Sequence, residues 1–136
     1  MLYTLVYKST ALVELDRYEL NALLHQARAR NKRLKITGLL LYANKRFLQV
    51  LEGEEKNVLS LYSEIQQDPR HTKLEVLMQN PIDKRMFPDW SMGYRKIDSN
   101  EYKNIPALSM FIDDDKISKP YELLLKFREE IFGEDE

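Results

Sequence analysis

Hydrophobic positions are densest between Ile36 and Gly53, in the stretch Ile-Thr-Gly-Leu-Leu-Leu-Tyr-Ala-Asn-Lys-Arg-Phe-Leu-Gln-Val-Leu-Glu-Gly. Asn44-Lys45-Arg46 interrupts the run with turn chemistry, so the stretch predicts two strands joined by a tight turn. The nearly continuous apolar character predicts central strands covered on both faces. One residue departs from the pattern. Gln49 lies between Leu48 and Val50, and strand alternation places it on the face of Phe47 and Leu51. A buried amide costs free energy unless its donors and acceptors are paired. Something polar is therefore expected over that face, either a neighbouring side chain or a bound molecule.

The flanking segments supply the remaining elements. Leu2 to Tyr7 predicts a first strand, ended by Lys8-Ser9-Thr10. Leu20, Leu23, Leu24 and Ala27 fall at i, i+3, i+4 and i+7, the stripe of an amphipathic helix. Arg28, Arg30, Lys32 and Arg33 gather at its C-terminal end, where cations suit the helix dipole, and Asn31 is expected to close it. Val58, Leu61, Tyr62 and Ile65 predict a second helix, bracketed by Gly53 and Pro69. Lys73 to Met78 predicts a fourth strand and Pro81 to Asp89 a loop. Trp90 to Ile97 predicts a fifth strand with Trp90, Met92 and Tyr94 on one face.

The order β-α-β-β-α-β-β predicts an α+β fold, a ferredoxin-like mixed sheet with one strand added and two helices on one face. Beyond Asn104 the composition changes. Ile105 to Ile112 predicts a short helix, and Tyr121, Leu124, Phe127, Arg128 and Ile131 mark a terminal amphipathic helix of about three turns. These C-terminal helices are expected to cover the sheet's other face, in this subunit or in a neighbour. The expected division is residues 1–97 as the functional domain and 98–136 as a helical extension for capping, output or oligomerisation.

Composition narrows the function. A chain of 136 residues with 43% hydrophobic content can build one core without covalent staples. A net charge of −1 and the lack of a basic stripe argue against a nucleic-acid partner. With no cysteine, disulfides, iron–sulfur clusters and thiolate chemistry are excluded. Two histidines without paired spacing give no metal site. The apolar N-terminus is too short for a signal peptide and has no basic leader, and no run reaches membrane-spanning length. A cytoplasmic chain without a membrane role is expected.

Polar or soft residues stand where a plain core would hold aliphatics: Tyr7 ending the first strand, Gln49, Asn31, and Met92 two residues after Trp90. Each alone has an ordinary reading. A strand tyrosine packs with its hydroxyl at the rim, asparagine closes helices, and methionine fills gaps. Gln49 is harder to explain this way, since a strand interior offers it few partners.

Taken in order, the blocks Tyr7-x-Ser9, Asn31, Ile36-Thr37-Gly38, Phe47-Leu48-Gln49-Val50-Leu51-Glu52-Gly53, Asp68-Pro69-Arg70-His71 and Phe87-x-x-Trp90-Ser91-Met92 resemble the BLUF family of flavin-binding blue-light sensors. The resemblance covers residues 1 to about 97. It implies non-covalent FAD, with the ring between the two helices. By the same resemblance Tyr7 matches the electron- and proton-donating tyrosine. Gln49 matches the glutamine between that tyrosine and the flavin, and Asn31 the asparagine at the ring's carbonyl edge. Leu23 and Ile65 match aliphatic contacts to the ring faces. Asp68, Arg70 and His71 fall where the family meets the ribityl chain and phosphates. Trp90 and Met92 match the pair that responds to the glutamine, and which of them faces the flavin is left open.

The function implied is a photoreceptor rather than an enzyme. No attached output domain is expected, so the signal is expected to leave through the C-terminal helices to a downstream signalling protein or through a change in a homo-oligomer. Three alternatives remain in play. An acylphosphatase-type enzyme would need an arginine-bearing phosphate loop after the first strand, where Lys8-Ser9-Thr10 stands. A flavin reductase would need a nicotinamide site, and no glycine-rich fingerprint follows a strand. A flavin-free interaction module would not need Tyr7, Asn31 and Gln49 together.

Overall fold

In the computed structural model, residues 1–97 apart from 13, 15 and 44 are described, together with 125, 128 and 129. The elements are β1 (Leu2–Ala11), α1 (Arg17–Leu34), β2 (Thr37–Ala43), β3 (Arg46–Glu54), α2 (Glu55–Gln66), β4 (His71–Pro81) and β5 (Gly93–Ile97). They form a five-stranded sheet in the order β4-β1-β3-β2-β5. All pairings are antiparallel except β2 with β5. This is the expected ferredoxin-like α+β arrangement with an added strand.

The apolar run does what its pattern predicts. β3 lies between β1 and β2, and Leu48 to Gly53 are all buried. Ala43 pairs with Arg46 across the turn, and Lys45 takes a left-handed conformation there (φ 63°). Gly38 belongs to the Ile-Thr-Gly block for a steric reason. A Cβ there would lie 1.9 Å from the Val50 carbonyl oxygen of the neighbouring strand.

Odd-numbered residues of β1 and β3 face the helices. Tyr3, Leu5, Tyr7, Leu51, Leu40 and Met92 join Leu24 of α1 and Val58 and Leu61 of α2 in one buried cluster. The other face gathers Val6, Leu39, Leu41, Leu48, Val50, Met86, Phe87 and Ile97, with Trp90 and Leu125 packed against them. The helices expected at 105–112 and 121–131 lie outside the described residues, apart from the helical positions Leu125, Arg128 and Glu129. Arg128 donates to the Met86 carbonyl at 3.2 Å.

That second face also contains a polar node. Glu52, 1% exposed, accepts the backbone N–H groups of Met86 (2.6 Å) and Phe87 (2.9 Å) and the Thr37 hydroxyl (3.3 Å). Arg85 completes the node, donating to Thr37 Oγ1, the Glu52 carbonyl and the Lys35 carbonyl at 2.8–2.9 Å. Burial pushes the Glu52 carboxyl above the ordinary carboxylate range, and the two N–H groups, the hydroxyl and Arg85 pull against it.

Several boundaries differ from the sequence reading. β1 does not stop at Lys8-Ser9-Thr10; it continues to Ala11, because long strands on both sides keep its ladder paired through Thr10. β4 is correspondingly longer than Lys73–Met78. Its residues 73 and 74 stand opposite Ser9 alone, a bulge in which Lys73 adopts φ 55°. α1 starts at Arg17, where Asp16 accepts the Glu19 N–H and Glu19 reaches back to the Asp16 N–H. It runs past Asn31 and ends at Leu34, with Lys35 as a left-handed cap. β5 starts at Gly93, so Trp90 and Met92 precede the strand and do not share one of its faces. Trp90 packs on the second face and Met92 on the helix face.

Candidate functional site

Cross-strand register brings the two polar residues of the helix face together. Tyr7 and Gln49 are direct partners in the β1–β3 ladder, and the Tyr7 hydroxyl donates to Gln49 Oε1. Burial, with smaller contributions from Tyr62 and Asp68, raises the Tyr7 pKa far above the usual tyrosine value, so the group stays a phenol and a donor. That fixes the amide: its oxygen faces Tyr7, and its nitrogen faces Met92 Sδ at 3.4 Å. A thioether is a weak acceptor, and the second N–H of Nε2 has no acceptor among the described residues. Tyr7 also packs against the Tyr62 ring, centroids 5.3 Å apart.

Above this floor lies a cavity of about 620 Å³ between the two helices. α1 supplies Leu23, Ala27 and Arg30, and α2 supplies Glu64 and Ile65. The floor is Tyr7, Leu40, Phe47, Gln49 and Met92. The α2–β4 connection and the first residue of β4 add Gln67, Asp68, Pro69, Arg70 and His71 to the lining. The volume lies within the range of small-molecule and cofactor sites, about 300–1,000 Å³.

The α2–β4 connection is ordered by its own bonds. Asp68 Oδ1 accepts the Arg70 N–H at 2.9 Å, and the Arg70 guanidinium grips the same carboxylate at 2.5–3.1 Å. Those hydrogen bonds hold the Asp68 carboxyl below the usual range. His71 Nε2 lies 2.9 Å from the Ile65 carbonyl and must donate there, which leaves Nδ1 to pair with the Ser9 hydroxyl at 2.8 Å. The β4 bulge opposite Ser9 sits where this histidine enters the sheet.

Eight of the ten residues expected at a flavin site therefore converge on one cavity: Tyr7, Leu23, Gln49, Ile65, Asp68, Arg70, His71 and Met92. Leu23 and Ile65 come from opposite helices, as two ring-face contacts require. Asn31 and Trp90 do not line it. Asn31, fully buried, donates its amide to the Ser91 carbonyl at 2.7 Å and borders a separate cavity of about 350 Å³. Trp90 stacks on Phe87 on the other side of the sheet (centroids 5.6 Å, 20°). Arg30 was missed. Its partly buried guanidinium, with its pKa lowered by burial and supported by Glu64, continues the Leu23–Ala27 stripe into the cavity. The basic cluster at the helix end masked that periodicity.

The donor set fits a flavin. Apolar side walls suit a flat aromatic ring, while an amide N–H without an acceptor among the described residues and the Arg30 cation suit a carbonyl edge. Tyr7, Leu23, Arg30, Gln49 and Ile65 would hold the ring, and Asp68, Arg70 and His71 offer polar groups that would meet a polar tail.

Comparison with known proteins points the same way. The BLUF family model, described as "Sensors of blue-light using FAD", matches residues 2–93. The photoactivated adenylate cyclase subunit beta of Euglena longa is 42% identical over 92 residues, 67% of this chain. The chain spans 11% of that relative's length. The dark-state structure of the BLUF protein BlrB aligns with a TM-score of 0.76 and 32% identity, over 96% of this chain and 94% of that one. The photo-activated state of BlsA aligns with a TM-score of 0.79 and 29% identity, over 98% of this chain and 97% of that one.

Proposed function

Since the chain belongs to the BLUF family, whose members sense blue light with FAD, we propose that it is a photosensor whose switching group is Gln49, poised between Tyr7 and Met92. The bound flavin supplies blue-light absorption and an electron-accepting excited state. The protein's part is the hydrogen-bond chain at the cavity floor. Tyr7 is a buried phenol that can give up an electron together with its proton, because burial makes the bare phenolate costly. Gln49 has two nearly isosteric ends, so turning or tautomerising its amide exchanges donor and acceptor with little steric work. The exchange changes what Met92 Sδ meets, and the segment carrying Met92 also carries Trp90 on the far face. The observation that carries this reading is the Tyr7–Gln49–Met92 chain beneath an apolar-walled cavity.

The sensor spans residues 1–97, and 98–136 form the extension that passes the signal on. The output is a changed contact with a downstream protein or a changed homo-oligomer, in the cytoplasm, without catalysis by this chain. The light-regulated adenylate cyclases among its relatives support a coupling of this kind. Among the described residues no helix is long and apolar enough to cross a membrane.

The test is absorption of the purified, FAD-incubated protein in the dark and after a blue flash. The expected result is a flavin spectrum that moves slightly to the red and recovers in the dark. Gln49→Leu should keep the flavin and lose the shift. A normal shift in that variant would remove Gln49 from the mechanism. A colourless protein would point to an interaction module, and irreversible bleaching to a reductase.

A further inference from the structure

Glu52 is a costly residue for its position. It points from β3 to the apolar second face, 1% exposed, where an aliphatic side chain would pack at no electrostatic cost. Its carboxylate is matched to two consecutive backbone N–H groups, Met86 and Phe87, which lie midway along the irregular segment between β4 and β5. Each oxygen takes one of them. Thr37 and Arg85 then tie the carboxylate to β2 and to the end of α1.

From that anchor the segment leads to the cavity. The Phe87 carbonyl accepts the Trp90 N–H at 3.2 Å, and the Trp90 carbonyl accepts the Gly38 N–H at 2.9 Å. The Met92 carbonyl accepts Arg28 Nε at 2.9 Å, and Met92 Sδ meets Gln49 Nε2 at 3.4 Å. Gln49 and Glu52 sit three residues apart on β3 and face opposite sides of the sheet. One central strand therefore grips both ends of the 86–92 stretch, strongly through a carboxylate at one end and weakly through sulfur at the other.

We propose that Glu52 is a positioning residue of the photoswitch: it clamps Met86 and Phe87 so that Met92 rests against Gln49, and it thereby sets how long the switched amide persists. This rests on the photosensor reading above. Without the clamp the Met86–Phe87 end would lose its two backbone bonds to β3, leaving the segment tied to that strand by the Arg85 bond to the Glu52 carbonyl and the weak Gln49–Met92 contact.

The test compares full-length protein carrying Glu52→Gln with Val50→Ala, a core change on the same face chosen to match any loss of thermal stability. The glutamine keeps the volume but sets an N–H₂ against a backbone N–H. Expected in Glu52→Gln are exchange of the Met86 and Phe87 amide hydrogens about tenfold or more faster than in Val50→Ala, and a red-shifted Trp90 emission. Trp90 is the chain's one tryptophan, so the emission has a single source. In the FAD-loaded protein the dark-recovery rate should change several-fold. If Glu52→Gln is too unstable to purify, Thr37→Val, which removes only the hydroxyl between Glu52 and Arg85, should show the same changes in smaller measure. Amide exchange, emission and recovery equal to those of Val50→Ala would overturn the proposal. Exchange and emission are read in the dark, so they judge the clamp even if the wild-type protein gives no reversible red shift, a result that would instead remove the photosensor reading.

Discussion

Gln49 is bound strongly on one side and weakly on the other, and this asymmetry decides what neighbouring substitutions do. Its oxygen takes a hydrogen bond from a buried phenol, while its nitrogen has, among the described residues, a thioether and one N–H to spare. Met92→Ala removes the sulfur and a fully buried side chain, at a cost of about 2–5 kcal/mol. It should alter the dark absorption and the recovery rate, both read by flash spectroscopy. Trp90→Ala acts on the opposite face. It should leave the absorption shift in place and weaken light-dependent assembly or partner binding, read by size-exclusion chromatography in dark and light. A Trp90→Ala protein with altered absorption and unaltered assembly would assign the two residues the other way round.

Among the glycines of the described strands, Gly38 of β2 is the least tolerant of added volume. Gly38→Ala would press a methyl onto the Val50 carbonyl, a backbone atom held in a central ladder. A loss of about 1–3 kcal/mol is expected, measured by denaturant unfolding, whereas alanine at the exposed Ser63 should be nearly neutral. Strands and helices were legible where a periodic apolar pattern existed, and boundaries were lost where tertiary pairing extended an element through polar residues. Lys8-Ser9-Thr10 reads as a stop, but both neighbouring strands continue past it. The start of α1 was present in the sequence as Asp16 followed by Glu19, a capping pair overlooked because no apolar stripe reaches that far back. Trp90 and Met92 were placed on one face by strand alternation. Alternation does not apply before Gly93, because the chain there turns through Phe87 and Trp90. Of the site, the Tyr7–Gln49 pairing follows from register and was foreseeable. The bond from Asn31 to the Ser91 carbonyl was not, since it depends on where an irregular segment passes.

At the scale of the whole molecule, the sheet's two faces are unlike. The helix face carries the cavity, and the other carries an apolar cluster with Leu125 packed against it. Leu125→Glu should place an unpaired charge against that cluster, lowering stability by about 1–3 kcal/mol. Thermal unfolding and sedimentation would show the lower midpoint and increased self-association; an unchanged midpoint would mean that this leucine adds nothing to the cover. Among the described residues the β5 strand pairs with β2 alone and is the shortest in the sheet, so the segment feeding it can shift without disturbing the β1–β3 ladder. A message from cavity to output face need not percolate through the core at all. It can travel round the rim, as a tug on a cord looped over the edge of a board, while the board stays flat. Sequence change could then retune the response time through the cord and its fastenings, leaving the chromophore chamber as it was.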